Sequence, residues 1–219
     1  MIDYLKRKTQ AVYVSIYVIG VIGVVGVINE NTRPFFVALA PYVSFVIGGY
    51  ALLKTWKSIE PSKKRLFIIW CAFVFGITFL LEFLGVNYGI FGRYSYGSIF
   101  KIMIGGVPLA IEIDWILVIL GLILILHDKV RSTILFAISV GLIAFVVDCV
   151  LIEPVAITFG AWKWEGGVPV SNYIFWFMVG FISALFFKQL NLKIKMRLMN
   201  DLWIANLLVF ISLKLYFQL

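Results

Sequence analysis

The chain has 219 residues, of which 63% are hydrophobic and 14% charged, and its mean hydropathy is +1.04. Average soluble domains are about half apolar and about a quarter charged, so this chain has too few polar residues to clothe a water-soluble globule, and disorder is excluded with it. The formal charge of +8 would suit a nucleic acid only if the basic residues gathered on one soluble face, whereas they sit between apolar runs.

A helix needs about 20 apolar residues to cross about 30 Å of hydrocarbon. Seven runs approach or reach that length: Ala11–Ile28, Phe35–Leu53, Leu66–Leu84, Val107–Leu126, Ile134–Ile152, Tyr173–Phe187 and Leu202–Phe217. The first, sixth and seventh are short or weakly bounded, which leaves six spans as the alternative. The expected fold is an all-α polytopic membrane helical bundle of about seven transmembrane helices, forming a single integral membrane domain over residues 1–219.

Lysine and arginine set the orientation, because cytoplasmic loops retain them. Lys6, Arg7 and Lys8 precede the first span, and Lys54, Lys57, Lys63, Lys64 and Arg65 flank the second loop. Lys129 and Arg131 lie in the fourth loop, and Lys188, Lys193, Lys195 and Arg197 in the sixth. The other side holds only Arg33, Arg93, Lys101, Lys163 and Lys214. The N-terminus is therefore expected in the cytoplasm and the C-terminus outside, with the cytoplasmic (cell) membrane as the location. Asn29-Glu30-Asn31 offers no small-residue cleavage site, so the first span reads as retained.

Cys71 and Cys149 lie inside apolar runs, where each serves as a small hydrophobe. The single histidine, His127, argues against metal centres that need several imidazoles. Chemistry then falls to carboxylates, hydroxyls and aromatics, and no metal site is expected.

Asp3, Glu60, Asp128 and Asp201 fall near the cytoplasmic side, and Glu30 reads as a solvated outer-loop charge. Six acids remain. Glu82 ends the third span, Glu112 and Asp114 begin the fourth, Asp148 lies near the end of the fifth, and Glu153 and Glu165 follow it. With alternating spans, all six approach one leaflet from separate segments. An ionised carboxylate in hydrocarbon costs about 2.5 to 3.5 kcal/mol even on the lenient scale, so such residues face a cavity or a partner. A polar pocket in the outer half of the bundle is the expectation.

Each acid also has a plainer reading. Glu112 and Asp114 are about 200° apart around a helix, so both cannot face one cavity, and Asp114, beside Trp115, is preferred. Glu153 precedes Pro154 and could be a solvated helix-end residue. Asp148 has no basic neighbour, but its helical neighbours Gly141 and Ala144 suit a close helix contact, which leaves a structural interhelical hydrogen bond open. Glu82 could ionise at the interface with Arg93.

Two aromatic, glycine-bearing segments flank the same region, Asn87 to Gly97 and Phe159 to Tyr173. They supply Tyr94, Tyr96, Trp162, Trp164 and Asn172. An interfacial aromatic belt is the plain explanation, yet a belt needs no glycines, whereas loops folded tightly over the bundle end do.

These residues resemble the integral-membrane carotenoid-biosynthesis family that includes carotenoid 1,2-hydratases, among them the γ-carotene 1′,2′-hydratase and bisanhydrobacterioruberin hydratase groups. The resemblance rests on Glu82 with Gly89-Ile90-Phe91-Gly92-Arg93-Tyr94-Ser95-Tyr96, on Gly106-Val107-Pro108 leading to Trp115, on Asp148-x4-Glu153-Pro154, and on Trp162-x-Trp164 followed by Gly167-Val168-Pro169-x2-Asn172. It covers roughly residues 66–187.

Membership implies addition of water to the terminal C1–C2 double bond of an acyclic carotenoid end group, with no cofactor. A carboxylic acid protonates the alkene and water captures the tertiary cation. Asp148 is the expected proton donor and Glu82 the base that orients water, with Asp114 and Glu153 as supporting acids; sequence alone leaves donor and base interchangeable. Tyr94, Tyr96, Trp115, Trp162 and Trp164 would line the substrate site and aromatic faces would stabilise the cation, while Asn172 would orient water. The partners implied are a lipophilic carotenoid, water and the lipid bilayer, with room for association with other carotenoid enzymes and no role for nucleic acid.

Carotene cyclisation starts from the same protonation and is the alternative enzyme reading. A proton-coupled transporter would also bury acids, but no internal repeat is evident. A retinal photoreceptor would need a Schiff-base lysine, and Lys214 near the outer end of the last span is explained by snorkelling.

Overall fold

The computed structural model describes residues 2–219, with side chains described from Gln10 onward. The side chains of Lys6, Arg7 and Lys8, used for the expected orientation, and that of Asp3 lie outside the described residues. Apolar runs of this length satisfy every interior backbone group only as helices when no water is at hand. The chain accordingly folds as α1 (Ile2–Ile28), α2 (Arg33–Ser58), α3 (Lys64–Tyr88), α4 (Leu109–Leu126), α5 (Thr133–Val147) continuing through a π-helical turn (Asp148–Ile152) into α6 (Glu153–Thr158), α7 (Val170–Gln189) and α8 (Arg197–Phe217). Among the described residues, seven helical spans are long and apolar enough to cross a membrane, with α5, the π turn and α6 counting as one. The six-span alternative falls away, because α7 and α8 extend past the apolar stretches that suggested them.

Helix α4 is the central pillar. It packs on α2, α3, α5, α7 and α8, and half of its most apolar window is buried. One continuous core runs from Ile16 in α1 to Ala205 in α8 through Trp70, Ile119, Ile123, Phe136 and Phe187. Outside it, Val14, Val18, Val21 and Val25 on α1, like Leu135 and Leu142 on α5, stay exposed, as surfaces facing hydrocarbon do.

The closest helix pair is α5 with α7, on the small-residue face. A methyl group added at Gly141 would lie 2.6 Å from the Phe177 carbonyl oxygen, and one at Gly180 would lie 3.0 Å from the Gly141 Cα. Small residues let backbones approach in this way and replace a hydrophobic driving force that lipid cannot provide.

Most spans run a few residues past their expected ends, and two of the boundary differences bear on the site. The fourth span does not begin at Val107: Val107–Pro108 form a short strand, β3, paired with β2 (Met103–Ile104), and the helix starts at Leu109. The fifth does not end at Ile152 but continues to Thr158. The aromatic segments are ordered as well. β1 (Tyr94–Tyr96) and β4 (Trp162–Trp164) form an antiparallel pair with Tyr94 opposite Trp164, Ser95 opposite Lys163 and Tyr96 opposite Trp162. The Gly97 N–H donates to Ala161 O and the Glu165 N–H to Arg93 O, both at 2.8 Å, closing each end of the ribbon.

Candidate active site

The ribbon caps the end of the bundle opposite the basic loops. Strand side chains alternate between faces. Ser95 and Lys163 are exposed, while Tyr94, Tyr96, Trp162 and Trp164 turn inward. The Tyr94 and Trp164 rings are 4.5 Å apart, and Tyr96 meets Trp162 edge-on at 6.1 Å. Each aromatic also carries one polar hydrogen, and all four are aimed at carboxylates.

Glu82, on the last turns of α3, receives three of the donors that converge here. The Tyr94 and Tyr96 hydroxyls donate to its Oε2, the latter at 2.7 Å, and Trp115 Nε1 donates to its Oε1 at 3.1 Å. Burial first, and the Glu82 charge second, hold both phenols well above their usual pKa, so they remain donors at neutral pH. Trp115 is fixed in turn by stacking on Trp176 of α7, with centroids 3.6 Å apart. Arg93 is exposed and is not the partner of Glu82.

Glu153 has the same arrangement. Trp162 and Trp164 donate their Nε1 hydrogens to its Oε1 at 2.8 and 2.5 Å, and Asn172 Nδ2 lies 3.5 Å from Oε2. It is 3% exposed, so it is no solvated helix-end residue. Asn172 also donates to Asp148 Oδ2 at 3.3 Å and thereby bridges the two acids from the first turn of α7.

The π turn explains how residues five apart meet. In an uninterrupted α-helix Asp148 and Glu153 would point about 140° apart. The wider turn, closed by the Glu153 N–H on Asp148 O, brings both onto one face. Pro154 offers no N–H to Val150 O, and Lys214 Nζ of α8 donates to that carbonyl at 2.7 Å. Lys214 thus braces the π turn.

Asp148 is fully buried, and its Oδ1 receives no hydrogen bond from any described residue. The interhelical hydrogen bond left open by its sequence exists, but it occupies only one of the two oxygens. The fourth acid of the cluster is Glu112, also fully buried, which accepts from Thr78 Oγ1 at 2.5 Å and leaves Oε1 without a donor. Asn172 joins Asp148 to Glu153, the Tyr94–Trp164 and Tyr96–Trp162 contacts join the donors of Glu82 to those of Glu153, and Glu112 lies one turn from Trp115, which donates to Glu82. Among the described residues the ion pairs are Lys195–Asp128 and Arg197–Asp201, both at the basic end, where His127 also hydrogen-bonds Asp128, so no cation neutralises the cluster.

The preference for Asp114 is corrected. Asp114 accepts from Ser44 Oγ and joins α4 to α2, about 200° around α4 from Glu112. Glu112 takes its place because it lies three residues from Trp115, on the buried stripe that continues through Ile116, Ile119 and Ile123. Adjacency to Trp115 suggested Asp114; helical spacing would have chosen Glu112. Thr78 and Trp176 were also missed, and Thr78 was legible at one turn before Glu82. Glu165 is exposed at the edge of the ribbon and takes no part. Among the described residues, no group of three or more His, Cys, Asp or Glu side chains is arranged to hold a metal ion.

Gly85 permits the contact between ribbon and helix. A methyl group there would lie 2.7 Å from the Tyr94 ring. Gly85→Val is expected to push Tyr94 off Glu82 and cost about 1 to 3 kcal/mol by overpacking. The drop in thermal midpoint of the detergent-solubilised protein checks this, and an unchanged midpoint would count against it.

Fold and site define a polytopic helical membrane protein whose buried carboxylates are held by an aromatic, hydrogen-donating lid at one end of the bundle. Comparison with known sequences gives the family: residues 41–219 match the model for carotenoid biosynthesis proteins, and the chain belongs to that family. It is 29% identical over 117 residues to the bisanhydrobacterioruberin hydratase of Haloarcula japonica, a match covering 49% of this chain and 40% of that relative's length. No solved structure matches.

Proposed function

We propose that the protein hydrates the terminal C1–C2 double bond of an acyclic carotenoid end group, with Asp148 as proton donor and Glu82 as the base that takes the proton from water. The observation that carries this reading is the asymmetry of hydrogen bonding. Glu82 accepts three bonds and Glu153 three, arrangements that suit carboxylates in the charged form. Asp148 keeps a buried oxygen that receives none, and an anion so placed would lose its hydration without compensation. A carboxylic acid beside an acceptor-rich carboxylate is an acid–base pair.

Asp148 delivers its proton to the less substituted alkene carbon, and the π electrons form the new C–H bond. The positive charge falls on the tertiary carbon. Water attacks that carbon and passes a proton to Glu82, leaving a tertiary alcohol; return of that proton to Asp148 restores the site. The faces of Trp162, Trp164, Tyr94 and Tyr96 stabilise the cation by about 2 kcal/mol or more where it is desolvated. The negative charge of Glu153 favours the nearby cation, Glu112 is a supporting acid, and Asn172 orients Asp148 or the water. The outer face of the cell membrane supplies water while the bilayer supplies the hydrocarbon.

Expression in cells that accumulate an acyclic carotenoid tests the reading. Pigments heavier by one water per modified end are expected. A cyclised product of unchanged mass would replace hydration by internal capture of the same cation, and unmodified pigment across a panel of acyclic carotenoids would overturn the enzymatic reading.

A further inference from the structure

Helices α2 and α3 follow one another in the chain, yet both pack on α4 and scarcely on each other. The gap between them is an apolar groove of about 570 Å³, walled by Trp56 of α2 and by Cys71, Ala72 and Phe75 of α3, and floored by Ile113 and Ile116 of α4. Its α3 wall lies in the half of that helix nearer the basic loops, and its other end, at Phe75 and Ile113, is one turn from Thr78 and next to Glu112 in the chain. Phe67, Cys71, Phe75, Thr78 and Glu82 follow one another at spacings of four and three, a single stripe along α3. Thr78, whose hydroxyl also reaches Phe75 O at 3.2 Å, donates to Glu112 in the core behind the groove wall, and Ile113 follows Glu112 directly.

We infer that this groove holds the hydrocarbon chain of the substrate, so that the polyene runs along α3 through the bilayer with its reacting end beneath the ribbon. The inference rests on the hydratase reading for the identity of the substrate. Three features select a long, linear, apolar occupant. The lining is entirely apolar except for the Cys71 thiol and the Trp56 indole. The groove opens sideways toward lipid, the medium in which such a chain dissolves, whereas Glu112 and Asp148 are fully buried from outside. The α3 wall of the groove, Phe67 to Phe75, is about 12 Å long at about 1.5 Å per residue, and the same stripe runs about 10 Å further to Glu82, together a large part of the hydrocarbon thickness of about 30 Å. A short isoprenoid would occupy the reacting end alone.

The test uses the full-length protein in lipid nanodiscs. Ala72→Phe fills the groove one turn from Phe75 without touching the cluster. For a long acyclic carotenoid it is expected to raise KM by about tenfold, equivalent to about 1.4 kcal/mol, with kcat little changed. A short isoprenoid carrying the same terminal alkene is expected to be hydrated as by wild type. In the unsubstituted protein, the long carotenoid is expected to slow alkylation of Cys71 by a membrane-permeant reagent over long incubation at high pH, read by peptide mass, below its rate in nanodisc phospholipid alone. Unchanged KM together with unprotected Cys71 would mean that the groove holds bilayer acyl chains only, and would overturn the inference. If wild type hydrates neither compound, the hydratase reading fails by itself, and Cys71 protection by the carotenoid still decides for or against the groove.

Discussion

Asp148→Asn is expected to lower hydration of an acyclic carotenoid by about a hundredfold to ten-thousandfold, the range associated with loss of a general acid. The substitution keeps the shape and the contact with Asn172 but removes the transferable proton. Insertion should be unaffected, because the neutral amide is no costlier to bury than the acid it replaces. The Glu112→Gln variant is the informative comparison. Glu112 is equally buried and also has an oxygen without a donor, but Thr78 holds its other oxygen tightly and it approaches from α4 instead of from the π turn. Turnover of both variants in isolated membranes, normalised to folded protein, ranks them. A smaller loss for Asp148→Asn than for Glu112→Gln would transfer the donor role to Glu112, and full activity of Asp148→Asn would remove Asp148 from the chemistry.

Glu82→Gln should have two consequences. As a general base its loss is expected to cost about a hundredfold or more in turnover. As a structural acceptor it collects Tyr94, Tyr96 and Trp115, and a glutamine amide can offer its oxygen to only part of that set. A buried donor left facing another donor costs about 1 to 3 kcal/mol. The variant should therefore unfold at a lower temperature as well as turn over slowly. Tyr96→Phe removes one donor while leaving the base, so it should lose far less activity. Equal losses in Glu82→Gln and Tyr96→Phe would show that Glu82 serves only to anchor the lid.

Seven spans were legible because each is a long apolar run set between charged loops, and the bilayer leaves such a run only one economical backbone. The side on which the acids gather followed from that alternation. Which acid of the Glu112–Asp114 pair joins the cluster was legible too, but in the three-residue spacing from Glu112 to Trp115 and not in adjacency. The ribbon was half visible: Tyr-Ser-Tyr and Trp-Lys-Trp alternate with a period of two, but three residues are too few to mark a strand without the partner, which lies some seventy residues away in the chain.

The π turn could not be read forward. Pro154 signals an interruption, but the meeting of Asp148 with Glu153 depends on Lys214 of a different helix and on Asn172 of a third. Such a site is specified by tertiary packing, as irregular backbone at membrane depth must be.

The most direct measurement of the proposed chemistry is isotopic. Purified protein would convert an acyclic carotenoid in deuterated, heavy-oxygen water, and the product would be analysed by mass and magnetic resonance. Deuterium on the former alkene carbon and heavy oxygen on the adjacent tertiary carbon, both lost in Asp148→Asn, are the predicted result. A product with neither label, or with both labels undiminished in Asp148→Asn, would contradict proton delivery by this buried acid.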